Sequence, residues 1–373
     1  MNYVVTGKGR LFDLFGDFVV FRNMKPVDDR VPPVSEVLTK LGLPPGRPPR
    51  KREPGYGRAA VWLLGKMHDL QHPGATIEEL LFIGDTSGDL KAFREISRAG
   101  DWKGAIFLGK DGTGKLSRTG EDVWKGDWAE ISRWLDAVRA AGLSVGERTV
   151  AVIDIDKTAI GARGRNHAAI DKARMEAMRI VISEALGDSF DQAAFLRAYE
   201  EVNQSRYHDI TEDNQDYIAY TCLVMSSGII SLEEIRAATL DSRFSSFRDF
   251  FEMVDEVMKL RPQDGLRAIH ESVAVSLAAG DPTPFKAFRR EELKQTVARM
   301  DMFPDGRPVE ELLEEEICIT GEVWEAGIAL KERGVVLTSF SDKPDEASVP
   351  MQEENTGAKA VHEAVAKIVS AAT

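Results

Sequence analysis

The chain has 373 residues, of which 43% are hydrophobic and 29% charged, and 48 basic against 61 acidic residues leave a net charge of −13. That length exceeds one typical domain of roughly 100–200 residues and predicts a two-part globular protein, while the acidic balance argues against nucleic acid or anionic lipid as a partner. Only Cys222 and Cys318 are present, which excludes a disulfide framework and a CxxC-type zinc site; with no basic-then-apolar leader and no run of about 18 apolar residues, no signal peptide or membrane span is expected and a reducing cytoplasm is the expected location.

In chain order, DFVVFRN (17–23) is a candidate strand, and the Pro- and Arg-rich LPPGRPPRKREPGYG (43–57) reads as an exposed connecting loop. A helical pattern starts at Gly57, followed by the apolar run ELLFIGD (79–85), a helix from Leu90, the run GAIFLG (104–109), a helix from Trp128 and the run TVAVIDID (149–156). A last helix from Val323 precedes GVVLTSFS (334–341). Short apolar runs alternating with helices of 10 to 15 residues imply an α/β fold with a parallel sheet. Between about 163 and 321 the period is helical throughout, as in HAAIDKARMEAMRIVISEALG and FRDFFEMVDEVMKL, and an all-helical insertion is expected there. The acidic EELLEEE (310–316) reads as a solvated helix face.

Three apolar runs end in acids or hydroxyls: Asp154 and Asp156, then Asp85 and Asp89, then Ser339 and Ser341. In open parallel sheets, ligands bind beyond the carboxyl ends of the strands, so these groups are candidates for one crevice. Four carboxylates with no soft ligand suit a hard cation, and magnesium above all. GKDGTGK (109–115) has the spacing of a phosphate-binding loop, but Leu116 stands where Ser or Thr is needed. It reads as a turn. A metal-binding DxD of nucleotide-sugar transferases would leave GDTSGD unexplained. His208, His270 and His362 are isolated and are read as structural. Arg163, Arg165 and His167 fit either a solvated hinge or contacts to a substrate's anionic groups, and they are not assigned.

An apolar strand followed by DIDKT, and another followed by GDTSGD, resemble the first and fourth motifs of the haloacid dehalogenase-like superfamily, over perhaps 200 residues. The resemblance implies a Rossmann-like α/β core at 1–162 and 322–373, with motif one at 149–158, motif two at 334–344, motifs three and four within 1–148, and a helical cap domain at 163–321. It implies that Asp154 attacks phosphorus, that Asp156 protonates the leaving oxygen, and that Mg²⁺ is held by Asp154, the backbone carbonyl of Asp156, and Asp85 or Asp89. SDKP (341–344) resembles motif two, which selects Ser341 with Ser339 in reserve. The motif-three lysine is Lys51, with Lys25 and Lys66 as alternatives. Motif order departs from the family, since GDTSGD precedes DIDKT; a circular permutation accounts for it.

The expected activity is Mg²⁺-dependent hydrolysis of a small phosphorylated metabolite through an aspartyl-phosphate. Phosphotransfer or dehalogenation would use the same nucleophile, although a departing halide needs no acid at Asp156. A non-catalytic binding protein on the same fold is the rival from another class.

Overall fold

The run TVAVI becomes strand β7 (Thr149–Ile153) at the middle of a seven-stranded sheet, and all five of its residues are buried. In the computed structural model, which describes residues 2–241, 243–260, 264–351 and 358–372, the strands are β1 (Tyr3–Gly9), β2 (Val19–Val20), β3 (Glu79–Gly84), β4 (Lys103–Gly109) and β5 (Ser117–Thr119). They continue with β6 (Val123–Gly126), β7, β8 (Ile319–Thr320), β9 (Val336–Phe340) and β10 (Ala366–Ala371). The large sheet runs β2-β9-β7-β3-β4-β6-β5, and every pairing is parallel except the terminal β5–β6 hairpin. The α/β class and parallel sheet expected from the apolar runs are therefore present.

Strands β3, β7 and β9 are buried along their whole length, as continuous apolar runs covered on both faces should be. On one face, Leu80, Phe82, Val150, Val152 and Val336 pack with Leu63, Leu64 and Met67 of the helix Tyr56–Gln71 and with Phe93 and Ile96 of the helix Ser87–Gly100. On the other, Phe107 of β4 meets Trp128 and Trp134, with ring centroids 6.2 and 5.6 Å apart. Trp134 lies on the helix Ile131–Ala140, which packs beside the helix Gly321–Glu332. Each fully buried aromatic or branched side chain contributes roughly 1.5–3 kcal/mol, so this layered packing fixes the strand order that sets the functional groups.

Contact clustering divides the chain into two compact units, the first running up to Lys172 and again from Thr296, the second spanning Ala173–Gln295. Among its described residues the second unit contains helices and no strand, including Gln192–Val202, Gln215–Ser226, Phe247–Leu260 and Asp264–Ala278. Its core gathers Phe195, Tyr220, Leu223, Phe247, Phe250 and Phe288. A buried ion network, Arg289 with Asp216 at 2.6 Å and with Glu292 at 2.6 Å, ties two of its helices.

Two expectations need correction. The stretch 163–321 was read as free of strands, but Ile319 and Thr320 form β8, which pairs with β10 in a three-stranded sheet of order β1-β10-β8. The acidic run 310–316 is not uniformly solvated: Leu312 and Leu313 are buried, and Glu316 is fully buried against Lys367 at 2.8 Å. A partner 51 residues away in sequence neutralises that charge. Among the described residues, no helix is long and apolar enough to cross a membrane.

Candidate functional site

The sheet order seats β7 between β9 and β3, so the chain ends carrying Asp154, Ser341 and Asp85 leave from three neighbouring strands. Ile83 pairs with Ile153, and the Asp154 amide extends the ladder by donating to the Ile83 carbonyl at 2.9 Å. After β7 the chain turns back sharply. Lys157 takes a left-handed φ of 64°, and the Thr158 and Ala159 amides donate to Ile155 and Asp154 at 3.2 and 3.1 Å. Gly84 ends β3 without a side chain for a steric reason: a Cβ there would lie 2.6 Å from Asp89 Cβ.

The next helix, Ser87–Gly100, opens with a capping box in which Thr86 Oγ1 accepts from the Asp89 amide at 3.3 Å and Asp89 Oδ2 accepts from the Thr86 amide at 3.0 Å. This N-cap arrangement satisfies donors that a helix start leaves unpaired. It also holds the Asp89 carboxylate at the strand end.

Three carboxylates meet there. One oxygen from each of Asp85, Asp89 and Asp154 lies within 4.8 Å of the others. Lys51, from the Pro- and Arg-rich loop, reaches in and donates to Asp154 Oδ1 at 2.7 Å and to Asp89 Oδ1 at 2.8 Å, with only 5% of its side chain exposed. The loop read as exposed thus buries Lys51 deeply, along with Leu43 and Tyr56, while Arg47 and Arg52 stay exposed. Lys25 and Lys66 are exposed and make no contact with these acids among the described residues.

The donor set is all oxygen, which suits Mg²⁺. Ligand oxygens on opposite sides of one Mg²⁺ stand about 4.2 Å apart, twice the Mg–O distance. The observed trio, each oxygen within 4.8 Å of the others, could hold such an ion.

Burial without full compensation governs the electrostatics. It pushes Asp154 well above the usual carboxylate range, aided by the charges of Asp89 and Asp85 and opposed by Lys51. Burial pushes Asp85 up to about 6, against the pull of Arg163. For Asp89 burial works upward too, but Lys51, Thr86 and the Asp85 amide outweigh it and hold the carboxyl below its ordinary value. Burial also works to lower Lys51, and the two carboxylates override it, holding the ammonium well above lysine's usual range. Asp89 and Lys51 are thus the fixed ions, and Asp154 and Asp85 are the acids short of positive charge.

Asp156 lies two residues beyond Asp154, with its Oδ2 3.3 Å from Lys343 Nζ. Its carboxylate is not part of the trio; the part expected for Asp156 in holding metal was its backbone carbonyl. Ser341 is buried just past the end of β9, where its Oγ accepts from the Lys343 amide at 3.3 Å. Ser339 is buried within β9 and its Oγ has no hydrogen-bond partner among the described residues, so both hydroxyls stay candidates.

Sequence reasoning left three groups at this site without a role. Arg163 Nε pairs with Asp85 Oδ2, Thr158 Oγ1 donates to Asp85 Oδ1 at 3.4 Å, and Lys343 faces Asp156. Thr158 and Lys343 sit inside DIDKT and SDKP, so the motifs held that signal. Arg165 is structural, since it is buried between Asp111 at 2.7 Å and Glu322 at 2.9 Å. His167 Nδ1 accepts from the Gly164 amide at 3.2 Å. GKDGTGK forms a turn after β4, with Gly112 and Gly114 at φ of 89° and 93°. Of the three isolated histidines, His270 bonds Tyr220 at 2.6 Å, His362 faces Asp17 at 3.3 Å and His208 is exposed.

Compared with family models, with curated proteins and with solved structures, the chain has no match.

Proposed function

We propose that this chain is a Mg²⁺-dependent phosphohydrolase that cleaves a small phosphomonoester through phospho-Asp154, on a circularly permuted haloacid dehalogenase-like core with the helical unit Ala173–Gln295 as its cap. One observation carries the reading: Asp154 and the acids of GDTSGD, some 70 residues apart in sequence, share a buried cluster bridged by Lys51. Clustered carboxylates repel one another, and burying them is costly unless their charge has a use. Two free, buried cysteine thiols fit a reducing compartment such as the cytoplasm.

In this reading Asp154 attacks phosphorus while the P–O bond to the alcohol breaks, and Asp156 delivers a proton to the departing oxygen. Splitting one displacement into two easier ones is the gain from a covalent intermediate. Water then attacks phosphorus and gives its proton to Asp156, so phosphate leaves and Asp154 is restored. Asp156 keeps 20% of its side chain exposed, which lets it exchange that proton, and a general acid contributes about 10²–10⁴ in rate. Lys51 offsets charge on Asp154 and the phosphoryl oxygens. Ser341 or Ser339 donates to a non-transferring oxygen. Asp154, the Asp156 carbonyl and Asp85 or Asp89 would hold Mg²⁺, which would supply positive charge that favours an ionised Asp154 and polarises the phosphate.

A second reading, a non-catalytic binding protein, is favoured by one feature: each carboxylate at the site already has a cationic partner, Lys51, Arg163 or Lys343. Phosphate release from a panel of phosphorylated metabolites, with and without Mg²⁺, separates the two. The enzyme reading expects Mg²⁺-dependent turnover that Asp154→Asn abolishes. Equal turnover by both proteins would remove the nucleophile, and no turnover across the panel would favour the binding protein.

A further inference from the structure

Next to Lys51 in the same loop stands an arginine whose charge the site does not use. Arg52 is exposed, and its guanidinium lies over Gly88 of GDTSGD: a Cβ on Gly88 would sit 3.1 Å from Arg52 Nε and 3.4 Å from its Nη2. Among the described residues that guanidinium has no hydrogen-bond or ion-pair partner. The acids are engaged elsewhere. Asp89 is held by Lys51 and Thr86, and Asp85 by Arg163.

The loop around Arg52 is fixed from several directions. Glu53 accepts from Arg47 twice at 2.7 Å and from the Arg50 amide at 3.0 Å, Lys51 is anchored in the acids, and Lys91 Nζ donates to the Arg52 carbonyl. Arg50 adds a buried Nε that no acceptor meets among the described residues. A planar fork of donors on a fixed backbone, facing solvent, is shaped for the paired oxygens of a phosphate or carboxylate.

We propose that Arg52 is a specificity-determining residue that binds a second anionic group of the substrate, and that the preferred substrates are phosphomonoesters carrying a further phosphate or carboxylate. Gly88 lies between Asp85 and Asp89 in sequence, so Arg52 stands over the segment that carries two of the reacting acids. The proposal rests on the phosphohydrolase reading of the neighbouring acids, and two measurements keep their failures apart.

The first compares kcat/KM for a sugar bisphosphate and a phosphorylated hydroxy acid with kcat/KM for p-nitrophenyl phosphate, in wild type, Arg52→Met and Arg52→Lys. A charge-assisted bidentate contact predicts that Arg52→Met lowers the ratio of doubly to singly anionic substrates by about 10- to 100-fold, chiefly through KM, with partial recovery in Arg52→Lys. A fall for only one of the two anionic classes identifies the second group as phosphate or as carboxylate. An unchanged ratio overturns the proposal, as does an equal fall for every substrate. The second measurement is calorimetric titration with inorganic pyrophosphate and with inorganic phosphate, which needs no turnover. Wild type should prefer pyrophosphate and Arg52→Met should lose the preference; wild-type binding of both ions alike overturns the proposal even if the protein is a phosphatase. Lack of turnover with the pyrophosphate preference intact would instead leave the anion subsite standing and remove the hydrolase.

Discussion

Replacing Lys51 with methionine probes the candidate site most sharply, because the substitution keeps most of the side-chain volume and removes the charge. The lysine bridges Asp154 and Asp89 at 2.7 and 2.8 Å with 5% of its side chain exposed. At an effective dielectric of about 20, each contact is a gross attraction of about 6 kcal/mol, most of which repays the burial of the three ions. Removing one partner from such a buried set costs about 3–5 kcal/mol, because the carboxylates left behind repel each other or must take up a proton. For a unit of this size each kcal/mol moves Tm by about 2–4 °C, so Lys51→Met should melt roughly 6–20 °C below wild type without divalent ions. Saturating Mg²⁺ supplies replacement positive charge, and mass action at about 100 times Kd returns about 2.7 kcal/mol. The Mg²⁺-induced rise in Tm should therefore exceed that of wild type. Calorimetric melting with and without Mg²⁺ reads both effects, with Lys25→Met and Lys66→Met as exposed controls that change stability by less than about 0.5 kcal/mol. Wild-type stability in Lys51→Met without divalent ions would show that this lysine does not hold the acids together.

Three further outcomes follow from the packing of the unit that carries the site. Glu79 accepts from the Ser144 amide and hydroxyl, the Val145 amide and Thr149 Oγ1 at 2.7, 2.9, 3.0 and 2.7 Å; burial works to raise its pKa, but these donors hold it below the ordinary glutamate value. The stability it contributes is therefore fully present above the unfolded pKa of about 4.3 and is lost as pH falls through the lower folded value. Urea unfolding should find Glu79→Gln about 1–3 kcal/mol less stable at pH 7, with a shallower loss than wild type on acidification below about pH 4.3; parallel curves would contradict this. Gly84→Ala puts a Cβ 2.6 Å from Asp89 Cβ, so it should cost about 1–3 kcal/mol in urea unfolding and weaken Mg²⁺ binding by displacing Asp89, whereas wild-type affinity would refute the steric argument. Lys367, 1% exposed, donates to Glu316, Asp301 and the Phe303 carbonyl at 2.8, 2.9 and 2.7 Å; Lys367→Met should cost about 3–5 kcal/mol, and adding Glu316→Gln should recover part of it in chemical denaturation, so a larger loss in the double variant would contradict an ionic role.

The acids were legible because a strand buried on both faces leaves a strong apolar run, and a polar residue at its end has few places to be except the sheet edge. Asp154 after TVAVI and Asp85 after LLFIG followed from that pattern alone. Lys51 did not. Nothing local distinguishes it from Arg50 or Arg52, and it was selected through the family resemblance; its contacts to Asp89 and Asp154 span 38 and 103 residues. The small sheet was missed for related reasons. Strand β1 reads YVVTGKG and is mostly exposed, so it lacks an apolar signature, and β8 is two residues long. Glu316 looked solvated because a charge run shows nothing of its partner, and Lys367 arrives from the other end of the chain. Candidate strand 17–23 shrinks to Val19–Val20, since only those residues meet β9 at the sheet edge.

The account depends on GDTSGD and DIDKT acting as one cation site, and titration calorimetry with Mg²⁺ tests that directly. Wild type should bind a single ion per chain, Asp154→Asn and the double variant Asp85→Asn/Asp89→Asn should each abolish that binding, and Asp156→Asn, whose carboxylate stands outside the trio, should retain it. Unchanged Mg²⁺ binding in either Asp154→Asn or the Asp85→Asn/Asp89→Asn double variant would mean that the two acidic segments are neighbours in space without forming a common metal site.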